Sequence, residues 1–227
     1  INMSTVTSAP FNLVYNDDVV VRVAAINGEG TADTSTNFED TPVKAQTKPD
    51  TPSNAPTLSS KTKDQIVLDF GGSETTTELG GSTATSYILY RNLPSDAAIV
   101  GDSPDSLLNS FTDTTVSTGT TYEYSYAIKN IHGTSARSPT ISVLAAQKPD
   151  KITTKPTTSL QTDDTEIVIA WSAPTANGSS ITNYVVEIRD NATTGWATPS
   201  GCSPGTATTC TINMSTVTSA PFNLVYN

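Results

Sequence analysis

The first and last sixteen residues of the chain are identical. INMSTVTSAPFNLVYN occupies positions 1–16 and occurs again, without a substitution, at positions 212–227. Convergence on a hydrophobic pattern cannot produce a match of this length. The start points 1 and 212 set a period of 211 residues, so we expect the chain to be a window on a longer repeating sequence.

Apolar residues alternate with polar ones in short runs. These runs occupy positions 18–26, 65–70, 86–91, 121–128, 166–171 and 183–189. A period of two is typical of half-buried strands, and clusters of Gly, Pro, Ser, Thr and Asn between such runs are typical of a sandwich of many short strands. We therefore predict an all-β fold in which no segment forms a helix of three turns.

The charge balance and hydropathy exclude two classes of function. The chain has 12 Lys and Arg residues against 22 Asp and Glu residues, a formal net charge of −10. A nucleic-acid site needs clustered cations to replace the counterions of the phosphates, and here the cations are few and scattered. No apolar run approaches the roughly 20 residues that a membrane span needs. We predict no nucleic-acid binding and no membrane span in this sequence.

A weaker repeat lies inside the long one. Lys-Pro-Asp recurs at 48–50 and 148–150, and QIVLDF at 65–70 corresponds to EIVIAW at 166–171. The spacing of these pairs is about a hundred residues, which is the size of one β-sandwich. Each period is therefore predicted to hold two diverged sandwiches.

Aromatic residues stand at corresponding places in the two units. They are Phe70 and Trp171 at the end of an early strand, Tyr87 and Tyr184 at the start of the next, and Tyr122 in a later strand. That later strand leads to Asn-x-x-Gly in both units, at 122–133 and 19–30. The pattern resembles the fibronectin type III domain. The resemblance implies that these five aromatic side chains pack in sandwich cores and that Tyr122 makes a corner hydrogen bond, whereas Val19 occupies that place in the other unit.

The same resemblance places the domain boundaries. It implies that residues 1–47 are the last strands (E, F and G) of one domain, that 48–147 is a complete domain, and that 148–227 holds strands A to E of the next. Residues 17–47 then correspond to the strands that 148–227 lacks. Copies can meet in this way along one polypeptide, or as separate chains that assemble head to tail by strand complementation.

The linkers between these domains are predicted to be stiff. Segments 45–56 and 145–156 both contain proline and no glycine, so they flex less than a Gly/Ser tether. With strands that rise roughly 20–27 Å each, two domains and their loops give an expected axial repeat of about 75 Å.

Two cysteines lie close together in the sequence. Cys202 and Cys210 bracket a predicted type II turn over 203–206, with Pro204 second and Gly205 third. Because this turn brings the two sulfur atoms together, we predict a disulfide, which indicates an oxidising, extracellular setting. The alternatives are two free thiols or a crosslink between neighbouring chains.

Four Asn-x-Ser/Thr sequons predict attachment sites for N-glycans: Asn2, Asn177, Asn191 and Asn213. Asn177 and Asn191 fall in predicted loops, where a glycan would be solvated, whereas Asn2 and Asn213 fall on a predicted edge strand. Trp196 lies near Asn191. In an exposed position it would stack on a sugar or anchor a neighbouring domain, and in a buried one it would cap the core.

No residue pattern predicts catalysis or a cofactor. The single histidine, His132, lies in a predicted loop without a nucleophile at a catalytic spacing. The acidic segments 16–18 and 163–164 offer oxygen ligands, but neither belongs to a calcium-loop motif, and calcium takes six to eight ligands. We expect solvated turn residues there, with calcium between domains as the alternative.

These features together favour a structural protein. We expect a glycosylated, extracellular or cell-surface array whose partners are neighbouring copies of the same repeat, since a periodic filament or appendage needs equivalent interfaces and no unique site. The alternative is the stalk of an adhesin or receptor whose binding module lies outside this sequence.

Overall fold

The computed structural model describes residues 3–35, 42–93, 95–162, 164–189 and 195–222. The chain divides into two compact units, Ile1–Ala145 and Ala146–Asn227. In the described ranges both units consist of antiparallel strands and loops, with two short helices, α1 (Met3–Val6) and α2 (Met214–Thr218). The all-β prediction is confirmed. Neither of these helices is long or apolar enough to cross a bilayer.

The first unit begins with α1 and a two-stranded hairpin. β1 (Ile26–Asn27) pairs with β2 (Gly30–Thr31). Val19 N donates to Val43 O at 2.8 Å, so the chain segments on the two sides of the hairpin are also hydrogen-bonded at a point far from the turn. In residues 18–27, the part of the hairpin before its turn, four apolar side chains are more than half exposed: Val20, Val21, Val23 and Ile26. These apolar side chains are therefore uncovered, and of the strand predicted over 18–26 only Ile26 lies in a strand, β1.

Residues 57–144 form a closed sandwich of two sheets. Its strands are β3 (Thr57–Lys61), β4 (Ile66–Asp69), β5 (Ser86–Leu93), β6 (Ala97–Val100), β7 (Ser110–Asp113), β8 (Thr121–Asn130), β9 (Gly133–Thr134) and β10 (Ile141–Leu144). One sheet has the order β3-β4-β7, and the other has the order β10-β8-β5-β6 with β9 beside β8. This is a fibronectin type III-like sandwich, as the resemblance implied.

Alternate residues of the strands face the space between the two sheets, as a period of two requires. The buried apolar residues of this core are Ile66, Leu68, Phe70, Tyr87, Leu89, Tyr122, Tyr124, Tyr126, Ile128, Val143 and Ala145. Phe70 packs on Tyr126 with ring centroids 6.0 Å apart. The aromatic side chains of the middle domain thus lie in its core.

Two core tyrosines have hydroxyl groups that are hydrogen-bonded at the edge of the sandwich. Tyr122 Oη accepts a hydrogen bond from Ser117 N at 2.7 Å, which forms the corner. Tyr87 Oη donates to Glu74 Oε2 at 3.0 Å. Burial, together with this carboxylate, raises the pKa of Tyr87 to about 12, so its hydroxyl stays protonated at neutral pH.

The second unit repeats half of this architecture. Its strands are β11 (Thr157–Leu160), β12 (Glu166–Ala170), β13 (Ile188–Arg189), β14 (Trp196–Ala197) and β15 (Thr209–Asn213). The sheet β11-β12-β15 corresponds to β3-β4-β7, and β13 pairs only with β14. In the part of this unit that the structure describes, no strand corresponds to β8 or β10. One of its two sheets is therefore incomplete.

A buried ion pair connects the two sheets of the middle sandwich. Asp113 Oδ2 accepts hydrogen bonds from Arg91 Nη1 at 3.1 Å and from Tyr124 Oη at 2.9 Å. Asp113 Oδ1 accepts from Thr115 N at 2.9 Å and from Thr115 Oγ1 at 2.7 Å. Burial alone raises the pKa of this carboxyl, but the hydrogen bonds and the charge of Arg91 outweigh it and hold the pKa below its ordinary value.

We predict that Asp113→Asn makes the middle sandwich less stable at pH 7 and less sensitive to acid. The folded pKa of Asp113 is lower than the unfolded value of about 3.9, so its contribution is complete above that value and is lost as the pH falls through the folded pKa. An amide cannot accept all four hydrogen bonds, which costs about 1–3 kcal/mol at pH 7. Urea titrations at several pH values, followed by the NMR signals of the β8 amides, measure both effects.

Asp96→Asn is the matched control, because Asp96 pairs with Arg137 at the surface and its side chain is 59% exposed. This substitution is expected to change the free energy of unfolding by about 0–1 kcal/mol. An acid sensitivity in Asp113→Asn equal to that of the wild type would contradict the assignment.

Candidate functional site

The linker before each sandwich docks on the loop between that sandwich's second and third strands. In the first unit Thr47 N donates to Gly80 O at 2.8 Å and Asp50 N donates to Glu78 O at 2.8 Å. In the second unit the corresponding bonds are Gln147 N to Asn177 O at 3.1 Å and Asp150 N to Thr175 O at 3.0 Å. The repeated Lys-Pro-Asp sequence thus forms the same junction twice.

This junction requires a left-handed backbone in the loop. Gly80 has φ 66°, and a Cβ at this position would collide with Thr47 O. Asn177 takes the corresponding place with φ 55°, a conformation that asparagine tolerates better than most residues. The loop can therefore approach the linker backbone closely in both units.

The side chain of Asn177 holds the linker and is not available to solvent. Asn177 is 4% exposed, and its Nδ2 donates to Lys148 O at 3.0 Å and to Asp150 Oδ1 at 2.8 Å. A glycan is attached through this nitrogen, so it would have to displace both bonds. The expectation of a solvated glycan at Asn177 is therefore corrected. The sequon there coincides with a structural asparagine.

Asn130 fastens the linker of the middle sandwich from the opposite side. Its Nδ2 donates to Thr47 O at 2.7 Å and to Leu79 O at 2.9 Å, and its Oδ1 accepts from His132 N at 2.8 Å. Asn130 is 2% exposed. One buried amide thus satisfies two backbone carbonyl groups and orders the turn that follows β8. The Asn-x-x-Gly motif contained this residue, but the sequence did not indicate that it binds the linker.

Gln46 connects this junction to the segment before it. Its Nε2 donates to Asn16 Oδ1 and to Gly81 O, both at 2.8 Å. Its Oε1 lies 3.0 Å from His132 Nε2. The only histidine of the chain is therefore placed at the linker junction.

The acidic turn residues have protein partners. Asp17 Oδ2 accepts from Val14 N at 2.9 Å, and Asp18 forms a 2.6 Å ion pair with Lys44. Asp164 N donates to Gln161 O at 3.0 Å in a turn, and Asp163 lies outside the described residues. In the described ranges no group of three or more His, Cys, Asp or Glu side chains lies close enough to hold a metal ion.

Cys202 and Cys210 are joined by a disulfide with their Cα atoms 5.6 Å apart. The turn between them lies one residue later than the sequence analysis placed it. Ala207 N donates to Pro204 O at 3.0 Å, and Gly205 has φ 56°. The positive φ therefore falls at the second position of the turn and not at the third.

Of the other three sequons, the structure describes only the one at Asn213. Asn213 is exposed at the start of α2, where its Oδ1 accepts from Ser215 N at 3.3 Å and caps the helix. Asn213 is also the last residue of β15, which lies at the edge of its sheet. Asn2 and Asn191 lie outside the described residues.

An apolar groove of about 600 Å³ opens on the second unit. Its lining includes Trp171, Tyr184, Val186, Ile188 and Trp196. Trp171 and Tyr184 pack edge to face with ring centroids 5.3 Å apart, but both remain half-buried. Trp196 is 67% exposed. Trp171 and Tyr184 thus line an open groove and not the closed core that was expected, because the facing sheet is incomplete.

No protein-family model matches this sequence, and no curated protein matches it. Titin domains A168–A170 are 20% identical to it, with a TM-score of 0.39, over 57% of this chain and 41% of the titin chain. Domains FN1–FN3 of chicken CNTN1 are 14% identical, with a TM-score of 0.38, over 85% of this chain and 63% of that one. Module A71 of titin from human cardiac muscle is 26% identical, with a TM-score of 0.32, over 41% of this chain and 92% of the module. The chain thus spans less than two thirds of the A168–A170 and CNTN1 chains.

We predict that Asn130→Asp loosens the linker of the middle sandwich. At neutral pH the substitution places a carboxylate against the carbonyl oxygens of Thr47 and Leu79 and removes both donated hydrogen bonds. The loss of a donor to each of these two partly buried carbonyl groups costs about 2–4 kcal/mol in total. Hydrogen exchange of the Thr47 amide, which donates across the same junction, should accelerate in step with this loss.

Asn54→Asp is the control for the added charge, because Asn54 is exposed. Its effect on stability should lie within about 0.5 kcal/mol. Unchanged exchange at Thr47 in Asn130→Asp would show that the side-chain amide does not hold the linker.

Proposed function

We propose that this chain is a structural building block of a long extracellular filament or cell-surface appendage made of tandem fibronectin type III-like sandwiches. The exact recurrence of residues 1–16 at 212–227 carries the proposal. Both copies begin a short helix at corresponding methionines, as Met3–Val6 and Met214–Thr218. An array of such copies repeats its interfaces and needs no unique site.

The linker junctions support a role as a spacer of defined geometry. Each linker is held by backbone hydrogen bonds to the loop of the sandwich that follows it. A buried asparagine adds one hydrogen bond to the first linker, from Asn130, and two to the second, from Asn177. Each bond contributes about 0.5–1.5 kcal/mol. A linker docked in this way has fewer conformations than a free tether, which suits a stiff array.

One feature supports a location outside the cell. The Cys202–Cys210 disulfide is typical of an oxidising compartment. We further propose glycans on the exposed Asn213 and on Asn2 and Asn191.

The same stiff linkers suit a second function, the stalk of an adhesin or receptor. In a stalk the sandwiches hold a separate binding module away from the cell surface, and the neighbouring copies are the only partners that they contact. The two functions differ in where the repeats lie along the native structure.

Immunogold labelling of intact source cells with antibodies against residues 57–145 tests the proposal. We expect gold particles along the whole length of surface filaments, and an axial repeat of about 75 Å in micrographs of the purified filaments. Labelling confined to a short zone at the cell surface would favour the stalk. Labelling inside the cell would contradict both functions.

A further inference from the structure

The N-terminal hairpin already has the conformation of the hairpin that closes the middle sandwich. Ser35 N donates to Val23 O at 2.9 Å, and Val23 N donates to Ser35 Oγ at 3.3 Å. In the closed sandwich Ser138 and Tyr126 make the same two bonds, at 2.8 Å and 3.0 Å. The two segments of residues 17–35 are therefore already paired in this structure, although no second sheet covers them among the described residues.

The turn of this hairpin also matches. Asn27 Oδ1 accepts from Glu29 N at 2.9 Å, as Asn130 Oδ1 accepts from His132 N at 2.8 Å in the closed sandwich. Asn130 uses the rest of its amide to hold a linker. Asn27 is therefore oriented to hold the linker of the sandwich that receives this hairpin.

The groove of the second unit is the space that such a hairpin fills in the middle sandwich. There Tyr124 and Tyr126 of β8 lie in the core beside Phe70 and Leu89. In the second unit the groove is open at this place, and Trp171 Nε1 lies buried without an acceptor among the described residues.

The closed sandwich also supplies the strand register. Its β5 pairs with β8 so that Leu89 lies opposite Tyr126 and Tyr90 lies opposite Ser125. The first of these pairs faces the core, where both residues are buried.

This register, applied to the groove, brings complementary side chains together. Val186 lies opposite Val23, which covers two apolar surfaces that are otherwise wet. Glu187 lies opposite Arg22, and both residues are exposed in the structure. Opposite charges at directly facing positions stabilise antiparallel strands. A shift by one residue would move Arg22 and Val23 to the wrong faces.

Side-chain volumes agree with this pairing. Phe70 and Tyr126 pack together in the closed sandwich. At the corresponding places the groove has the larger Trp171 and the hairpin has the smaller Val23. A larger residue on one sheet and a smaller one on the other keep the core volume roughly constant, which is the exchange that cores tolerate best.

We propose that residues 17–35 of the next copy of this repeat fill the groove of the second unit as its missing strands, with Val23 opposite Val186 and Arg22 opposite Glu187. The inference rests on the proposed function in one respect, because an array supplies a next copy to every groove.

Sedimentation of the 227-residue chain tests the pairing with three variants. The wild type is expected to self-associate head to tail as its concentration rises, with a blue shift in fluorescence, because both tryptophans of the chain line the groove. Arg22→Glu and Glu187→Arg should each weaken association roughly two- to thirty-fold by placing like charges opposite each other. The double variant Arg22→Glu/Glu187→Arg restores the opposite charges and should associate as the wild type does.

A wild-type chain that stays monomeric up to its solubility limit would overturn the proposal. A double variant no better than the single variants would overturn the register. Lys155→Glu is the control, since Lys155 is an exposed charge that is not part of the groove lining, and this variant should associate as the wild type does. These results are independent of the immunogold test: loss of association leaves the location of the repeats unchanged, and an intracellular location leaves the association unchanged.

Discussion

A β-sandwich hides its apolar residues only when both of its sheets are complete, and this requirement governs the whole structure. The middle domain meets it: β8 lies between β5 and β10, and its tyrosines are buried. The N-terminal hairpin and the second unit each have only part of the set. As a result, valines on the hairpin and Trp196 in the groove lie at the surface, and Trp171 is only half-buried. The proposed array would explain both features, because two successive copies would then share the strands of one sandwich.

The linker junction is the second constraint, since it fixes each linker against the sandwich that follows it. The two units build it from the same Lys-Pro-Asp segment and a loop with a left-handed residue, Gly80 or Asn177. Buried asparagine amides complete it at Asn130 and Asn177. These polar groups are costly to bury unless every hydrogen bond is made, so the junction tolerates few arrangements. A defined junction is what a repeating structural protein needs.

Much of the fold was predictable because it depends on local alternation. The apolar period of two in 65–70 and 121–128 predicted strands whose alternate residues face the core. Features that depend on distant partners were not predictable. The sequon at Asn177 does not show that its amide binds a linker 27 residues earlier. Trp171 and Tyr184 were expected in a core, but their burial depends on strands that another segment must supply. The helix at Met214–Thr218, which Asn213 caps from the end of the edge strand β15, was not predicted.

In the proposed array each period is a link in one long polypeptide, and residues 17–35 of one copy complete the second unit of the copy before it. The most direct test is the size of the native chain under denaturing, reducing conditions, before and after enzymatic removal of N-glycans. A covalent array predicts a species many times larger than the 23.8 kDa of this sequence, and its apparent mass should decrease after glycan removal. A single band near 23.8 kDa plus sugar would contradict the covalent array and would mean that separate subunits meet through the repeated segment.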